Sequence, residues 1–157
     1  WRKNLRLMVA GMPNVGKSRL INVLVGRRAA RTGKAPGVTR GRQWLRMAGG
    51  MELLDLPGVL YPGLEDPEVF WRLAAVGVVE PGENAPEVAE ELLRALGAWY
   101  PARVAARYGP AEGGLAGVAR RRGVLLPGGE PDLHRAAAQV LRDFREGRLG
   151  RCTLDRP

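Results

Sequence analysis

The stretch that decides the fold is GMPNVGKS, which occupies residues 11–18. It fits G-x-x-x-x-G-K-[ST], a pattern in which a glycine-rich loop joins a strand to a helix. The preceding residues 5–10 (LRLMVA) are apolar and stop at a glycine, which predicts a buried strand. The following residues 17–25 (KSRLINVLV) carry apolar side chains at helical spacing and end at Gly26, which predicts a helix with a C-terminal stop. With both flanks in place, the stretch is predicted to be a phosphate-binding loop rather than a chance match.

The residue types of this loop suit a triphosphate and its metal. Glycines let backbone N–H groups turn toward phosphate oxygens, and the positive end of the helix dipole lies at the same place. Lys17 is predicted to set its ammonium on the β- and γ-phosphates, and the Ser18 hydroxyl to ligate Mg²⁺. The predicted nucleotide-binding residues of this stretch are Asn14, Val15, Gly16, Lys17, Ser18 and Arg19.

A second motif, Asp55-Leu56-Pro57-Gly58, lies downstream of the loop. Residues 43–47 and 51–55 flank a two-glycine turn, which predicts a hairpin whose second strand ends at Asp55. A carboxylate at a strand end can hold Mg²⁺ through water. The Gly58 N–H can approach the γ-phosphate because no side chain stands in the way. D-x-x-G is weak alone, but it is a strong signal after a strand and a phosphate loop.

Residues 27–42 are basic, rich in glycine and without periodicity, which predicts a mobile loop. Thr39 lies in this loop and is predicted to ligate Mg²⁺ and to sense the γ-phosphate, the alternative being an ordinary loop threonine. Lys17, Thr39 and Gly58 form the predicted catalytic set. Val59 stands where many GTPases carry a water-orienting glutamine. Hydrolysis is therefore expected to be slow, or to rely on another segment, a cation or a partner to place the water.

The amino-acid composition limits the classes of protein to which the chain can belong. A chain of 157 residues with 45% hydrophobic content suits one ordinary domain or two small ones, and no apolar run is long enough for a membrane span. The single cysteine, Cys152, fits a reducing cytosolic setting. The net charge of +9 is divided into +10 over residues 1–64, −6 over 65–100 and +5 over 101–157. The two basic segments suit either a polyanionic partner or phosphate chemistry with solvated arginine faces.

Helical patterns replace the strand patterns after residue 63. An aspartate–proline start at Asp66 predicts a helix to about Val79, and Asn84 with Glu87 resembles a capping box for a helix to about Trp99. Further helices are predicted from Pro101 to Gly109, over 115–122 and from Pro131 to Gly147. The predicted fold is a partial α/β P-loop GTPase half over residues 1–63, followed by a small all-α domain over residues 64–157.

A guanine-reading N-K-x-D segment is missing after Gly58. The phosphate-loop portion offers only about three strands, whereas a parallel sheet needs cover on both faces. The GTPase domain is therefore expected to be incomplete here. Either its base-reading half was lost, or that half precedes Trp1 in a permuted order.

The motifs together resemble one known family. GMPNVGKS, the PGVT of residues 36–39 and the LLDLPGVLYP of residues 53–62 are similar to the ribosome biogenesis GTPase A family of circularly permuted GTPases. The similarity continues through residues 65–69 to the LGR of residues 149–151 and so covers nearly the whole chain. It implies that the base-reading motifs precede the phosphate loop. It also implies a cytoplasmic protein that helps mature the large ribosomal subunit, with a C-terminal helical domain on ribosomal RNA.

The resemblance also bears on individual residues. It implies a hydrophobic residue in place of the catalytic glutamine, which Val59 matches, and it associates Asn14 with potassium stimulation. The expected cofactors are GTP or GDP with Mg²⁺, and K⁺ at Asn14; the expected state is a monomer. The predicted RNA-binding residues are Arg120, Arg121, Arg122, Arg135, Arg142, Arg145 and Arg148. For Arg120 to Arg122 a purely structural role at a helix end is an equal alternative.

Three functions remain open from the sequence. The first is a GTP-dependent assembly factor for the large ribosomal subunit, which binds precursor particles according to its nucleotide state. The second is a P-loop ATPase or kinase, which the D-x-x-G motif and Thr39 disfavour. The third is a non-enzymatic RNA-binding fragment.

Overall fold

A computed structural model describes residues 5–26, 41–59, 62–110 and 112–155. The chain divides into two compact units, Trp1–Leu64 and Glu65–Pro157. This division lies one residue from the boundary expected from the sequence. The predicted loop over residues 27–42 falls outside the described residues except for its last two positions, so Thr39 stays a prediction.

The first unit holds a three-stranded sheet. Its strands are β1 (Arg6–Val9), β2 (Gln43–Arg46) and β3 (Glu52–Asp55), in the spatial order β1-β3-β2. β1 runs parallel to β3, with Leu7 opposite Leu53, and β2 runs antiparallel to β3, with Leu45 opposite Leu53. A 3₁₀ turn at Ala48–Gly50 joins β2 to β3, which confirms the predicted hairpin.

One helix, α1 (Lys17–Val25), packs on this sheet. Ile21 of α1 and Leu45 and Leu53 of the sheet are buried together and form the small core of the unit. α1 has the bounds that the sequence predicts, because the phosphate-loop motif fixes its start and Gly26 adopts the left-handed conformation that ends it. This packing fixes both ends of the phosphate loop.

The second unit is a bundle of short helices. Its large core is centred on α3 and α6, where Leu92, Leu96 and Val140 are fully buried. The described helices are α2 (Pro67–Ala75), α3 (Ala85–Trp99), α4 (Pro101–Tyr108), α5 (Gly114–Arg121) and α6 (Leu133–Arg145), with a 3₁₀ turn at Gly82–Asn84. Apart from one isolated bridge between Leu125 and Pro131, the described regular structure of this unit is helical. Among the described helices, none combines the length and the apolar character needed to cross a membrane.

Two predicted helix bounds are wrong for local reasons. α2 ends at Ala75 and not near Val79, because Gly77 adopts a left-handed conformation and the Val78 N–H donates to the Leu73 carbonyl (2.9 Å). This pattern is a Schellman motif, which ends a helix. α6 begins at Leu133 and not at Pro131, because Asp132 is its N-cap and accepts from the Arg135 N–H at 2.9 Å.

The predicted capping box at Asn84 is also wrong. Asn84 precedes α3, but its side chain makes no capping hydrogen bond. Its backbone lies outside the extended region because it closes the preceding 3₁₀ turn, with its N–H donating to the Pro81 carbonyl at 3.1 Å. A capping side chain usually projects from an extended residue, so this backbone does not place the asparagine for the role.

Candidate nucleotide-binding site

The predicted phosphate loop lies between β1 and α1. Asn14 and Gly16 both have positive φ, 57° and 94°, and Gly16 is the N-cap residue of α1. Asparagine is one of the few non-glycine residues that tolerate this conformation. The loop therefore turns sharply before the helix, so the free N–H groups of its first turn face the loop. The side chains of Asn14, Val15 and Arg19 are exposed around this turn.

Lys17 reaches back across the loop. Its ammonium donates to the Met12 carbonyl at 2.6 Å, and the side chain is only half exposed. A lysine at the first position of the helix is thereby held as a point charge above the loop, where a triphosphate would lie. The sequence identified Lys17 but not Met12, because a backbone acceptor leaves no signature in residue type.

Asp55 is the most unusual side chain of this unit. It is buried at the end of β3, and its Oδ1 atom has no hydrogen-bond partner among the described residues. Burial raises the pKa of Asp55, and the nearby Lys17 ammonium partly offsets this rise. A desolvated carboxylate oxygen without a donor suits a hard divalent cation, which prefers oxygen ligands. The partly exposed Ser18 hydroxyl, which has no partner within the described part of the chain, is a second oxygen at the loop that could ligate a cation.

Gly58 touches the phosphate loop directly. A Cβ atom added at this position would lie 2.7 Å from both the Cα and the N of Pro13, too close for any side chain. The next residue, Val59, donates its N–H to the Gly11 carbonyl at 3.2 Å, while its side chain is exposed. The D-x-x-G segment and the phosphate loop thus meet backbone to backbone. The sequence predicted the two motifs but gave no sign of the Pro13 and Gly11 contacts.

The structure separates the seven predicted RNA-binding arginines into two groups. Four of them bond within the second unit. Arg121 donates to the carbonyls of Tyr108 and Pro110, and Arg145 donates to the carbonyls of Ala74 and Ala75 at the end of α2. Arg122 and Arg148 lie beside the carboxylate of Asp143 (3.9 and 3.0 Å). Their predicted role on RNA stays a prediction, and each also has a structural partner.

The remaining three predicted arginines have guanidinium groups without a partner among the described residues. The side chains of Arg120, Arg135 and Arg142 are exposed and make no hydrogen bond or ion pair within that part of the chain. Arg135 and Arg142 lie on one face of α6, two turns apart. Arg120 lies in the last turn of α5, where its charge also complements the helix dipole.

A strand–loop–helix with this lysine, serine and buried aspartate defines a P-loop nucleotide-binding protein of the GTPase class. The sequence model of one family, described as 50S ribosome-binding GTPase, matches residues 6–91. The chain belongs to this family of 50S ribosome-binding GTPases.

Comparison with known proteins agrees with the resemblance drawn from the motifs and confirms it. The chain is 39% identical to ribosome biogenesis GTPase A of Priestia megaterium over 98% of its own length and 56% of that protein. It is 32% identical to the protein of the same name from Thermotoga maritima, over 97% of its own length and 56% of that protein. A GDP-bound structure of YlqF superposes with a TM-score of 0.68 at 27% identity, covering 100% of this chain and 63% of the other. The chain thus spans a little over half the length of these relatives.

Proposed function

We propose that this chain is the phosphate-binding and magnesium-binding portion of a GTPase that hydrolyses GTP and assists assembly of the large ribosomal subunit. The observation that carries the proposal is the buried Oδ1 of Asp55, near Lys17, for which the described part of the chain supplies no hydrogen-bond donor. The names of the relatives, ribosome biogenesis GTPase A, support the same activity and process. The proposed setting is the cytoplasm and the proposed state a monomer.

Five residues carry the binding chemistry in this proposal. Lys17 exchanges the Met12 carbonyl for phosphate oxygens, because a charged acceptor binds an ammonium more strongly than a neutral one. Ser18 and Asp55 hold Mg²⁺, directly and through water, and Thr39 is its proposed ligand from the loop outside the described residues. When bound, Mg²⁺ would neutralise part of the negative charge on the β- and γ-phosphates. The Gly58 N–H, which lies against Pro13 of the phosphate loop, is the proposed donor to the γ-phosphate.

Val59 sets the expected behaviour in hydrolysis. Its exposed aliphatic side chain offers neither donor nor acceptor to an attacking water. We therefore expect a low intrinsic rate until another segment, a cation or a partner places the water. Asn14, in its left-handed conformation with an exposed amide, is the proposed K⁺ ligand. Replacing KCl by NaCl should then slow GTP hydrolysis by the wild type but not by the Asn14→Ala variant.

The guanine-reading segment is proposed to lie outside these 157 residues, in a permuted order. The support is the sheet: β1 pairs on one side only among the described residues, and Leu7 and Met8 of β1 are exposed. An unpaired edge with apolar side chains is suited to a further strand. The 157-residue chain should accordingly bind GTP and ATP about equally through the triphosphate, whereas the full-length protein should prefer GTP.

The test of nucleotide binding uses fluorescent GTP titrated with and without MgCl₂. Wild type should bind in a Mg²⁺-dependent way, and Lys17→Ala should lose binding at both conditions. Asp55→Asn should lose the Mg²⁺ dependence while it retains weak metal-free binding. If Asp55→Asn binds GTP with the full Mg²⁺ enhancement, the proposed metal site is wrong. A preference of the full-length protein for ATP would favour the ATPase alternative.

Contact with pre-ribosomal RNA is proposed for the free arginines Arg120, Arg135 and Arg142. Each phosphate contact adds to the negative slope of log affinity against log salt, by about 0.7 to 0.9 per contact. Arg135→Gln should therefore reduce that slope by about one contact, measured with ribosomal RNA fragments. Arg94→Gln is a matched control, because Arg94 is also exposed but pairs with Glu91 on an acidic helix. Equal slopes for wild type and Arg135→Gln would remove the support for this RNA contact.

A further inference from the structure

The turn between α5 and α6 presents leucines to solvent. Leu125 and Leu126 are 40% and 46% exposed, and Leu133 in the first turn of α6 is 40% exposed. Among the described residues of the second unit, the only other exposed large hydrophobic side chain is Val76, at 50%. Single exposed apolar residues are normal, but a cluster of them within one turn marks an interaction surface.

This turn is preformed by hydrogen bonds. Leu125 pairs with Pro131 in the isolated bridge. The N–H of Leu126 donates to the carbonyl of Glu130 across the turn at 2.8 Å. Asp132 donates its N–H to the carbonyl of Val124 at 3.0 Å, and Val124 itself is buried in the core. The leucines are therefore held in place before any partner arrives, so binding costs little ordering entropy.

Free positive charge flanks the leucines on both sides. Arg120 lies in the last turn of α5, before the leucines, and Arg135 lies in the first turn of α6, after Leu133. Residues 120–135 hold four arginines against two carboxylates, and two of these arginines, Arg120 and Arg135, have no side-chain partner among the described residues. One of the carboxylates, Asp132, is occupied as the N-cap of α6. An apolar patch between guanidinium groups complements a partner that offers apolar faces between negative charges.

We propose that residues 124–133, here named the leucine turn, bind unpaired RNA together with Arg120 and Arg135. The leucines pack against base faces, and the arginines bind the flanking phosphates. This proposal rests on the RNA contact proposed above and adds the apolar half of the site. Base faces are accessible only where the strand is unstacked, whereas a duplex offers phosphates and 2′-hydroxyls. The partner is thus a loop, bulge or single-stranded segment rather than a helix of RNA.

The test compares two labelled RNAs by fluorescence anisotropy with the 157-residue chain: a stem-loop, and a fully paired duplex of the same stem. The double variant Leu125→Ala/Leu126→Ala should bind the stem-loop about tenfold more weakly with an unchanged salt slope. Its affinity for the duplex should not change. Val76→Ala is the matched control, because it removes an equally exposed side chain of the same unit, and it should behave as wild type. Leu133→Ala gives a second, independent variant, and thermal unfolding verifies that each variant folds.

The outcomes separate this proposal from the function on which it rests. If the leucine variants keep wild-type affinity for the stem-loop while Arg135→Gln loses affinity and slope, the leucine turn is no RNA site and the arginine contact stands. If wild type binds neither RNA, both proposals fall. If the leucine variants lose affinity for an acidic, leucine-rich peptide but not for the stem-loop, the surface serves a protein and the proposal is overturned.

Discussion

The most quantitative prediction concerns Asp143, the buried carboxylate of α6. Its side chain accepts hydrogen bonds from Arg107 Nε (2.9 Å), the Tyr108 hydroxyl (3.1 Å) and Arg148 Nη1 (3.0 Å), with Arg107 Nη2 at 2.8 Å. Asp143→Asn keeps the shape but removes the charge and faces an amide N–H₂ toward these donors. The three elements α4, α6 and the tail after α6 then lose their common acceptor.

The magnitude follows from burial. Removing one partner of a buried ion pair costs roughly 3–5 kcal/mol when the other partner stays desolvated. Here the side chains of Arg107 and Arg148 are 31% and 49% exposed, so water can hydrate them, and we discount the loss to about 2–3 kcal/mol. For a unit of this size the melting temperature should fall by about 10–20 °C. Urea unfolding followed by far-UV circular dichroism, which the helices dominate, measures the change.

The pH dependence gives an independent check with a fixed sign. Burial alone would raise the pKa of Asp143, but the hydrogen bonds from Arg107, Tyr108 and Arg148 hold the pKa below its ordinary value. A carboxyl whose pKa is lower in the folded state stabilises the fold above its unfolded pKa of about 3.9. This contribution disappears as the pH falls through the folded pKa. The difference between wild type and Asp143→Asn should therefore shrink below about pH 4.

A control and a refuting result complete this test. Glu146→Gln removes the other carboxylate that pairs with Arg148, at 2.5 Å, but both side chains are about half exposed. It should change the free energy of unfolding by less than about 1 kcal/mol. If Asp143→Asn is no more destabilising than Glu146→Gln at neutral pH, Asp143 is not the hub that its contacts indicate.

Three further substitutions, with Gly41→Ala and Gly97→Ala as controls, test close contacts and the metal site. Gly58→Ala places a methyl 2.7 Å from the phosphate-loop backbone and should weaken fluorescent-GTP binding by about tenfold or more, whereas Gly41→Ala, which meets nothing within 4 Å, should not. Gly114→Ala displaces the Glu90 carboxylate from the Leu115 N–H and puts a side chain on a residue with φ of +50°, so it should cost about 1–3 kcal/mol in urea unfolding. Gly97→Ala on α3 meets open space and should stabilise slightly in the same assay. Asp55→Asn should raise the unfolding free energy of the nucleotide-free chain by about 1 kcal/mol while it removes Mg²⁺-dependent GTP binding.

The sequence predicted best the features that local chemistry fixes. The strand–loop–helix around residues 11–18 formed at the expected positions, but the expectation of a buried strand is wrong. Leu7 and Met8 of β1 are exposed, because β1 is an edge strand that pairs only with β3 among the described residues. α4 begins at the proline that the sequence marks, Pro101. Helix ends were harder, because Gly77 ends α2 through a Schellman motif in the middle of a pattern that still looked helical. Asn84 failed as a cap because the preceding 3₁₀ turn determines its backbone conformation.

The arginines show the limit of a sequence argument more clearly. Arg142 and Arg145 lie three residues apart on α6 and are indistinguishable by type and spacing. Arg145 nonetheless donates to two carbonyls at the end of α2, seventy residues earlier in the chain, whereas Arg142 points to no described partner. Which arginine is free depends on where distant carbonyls end up, and periodicity contains no information about that. The leucine turn was missed because the sequence does not show whether Leu125 and Leu126 are buried or exposed. An apolar pair between glycines and prolines looks like a core segment.

The two buried aspartates of the described chain separate structural from functional chemistry. Asp143 has three donors around it, so its burial is compensated, its pKa falls, and removing its charge should destabilise the fold. Asp55 has a bare oxygen, its burial is uncompensated, its pKa rises, and removing its charge should stabilise the fold. A protein that keeps an uncompensated carboxylate at a strand end, beside a lysine that has only a backbone carbonyl to bind, gains nothing from it in stability. If Asp55→Asn raises the free energy of unfolding and Asp143→Asn lowers it in the same assay, Asp55 is retained for a ligand rather than for stability. Changes of the same sign would remove that distinction.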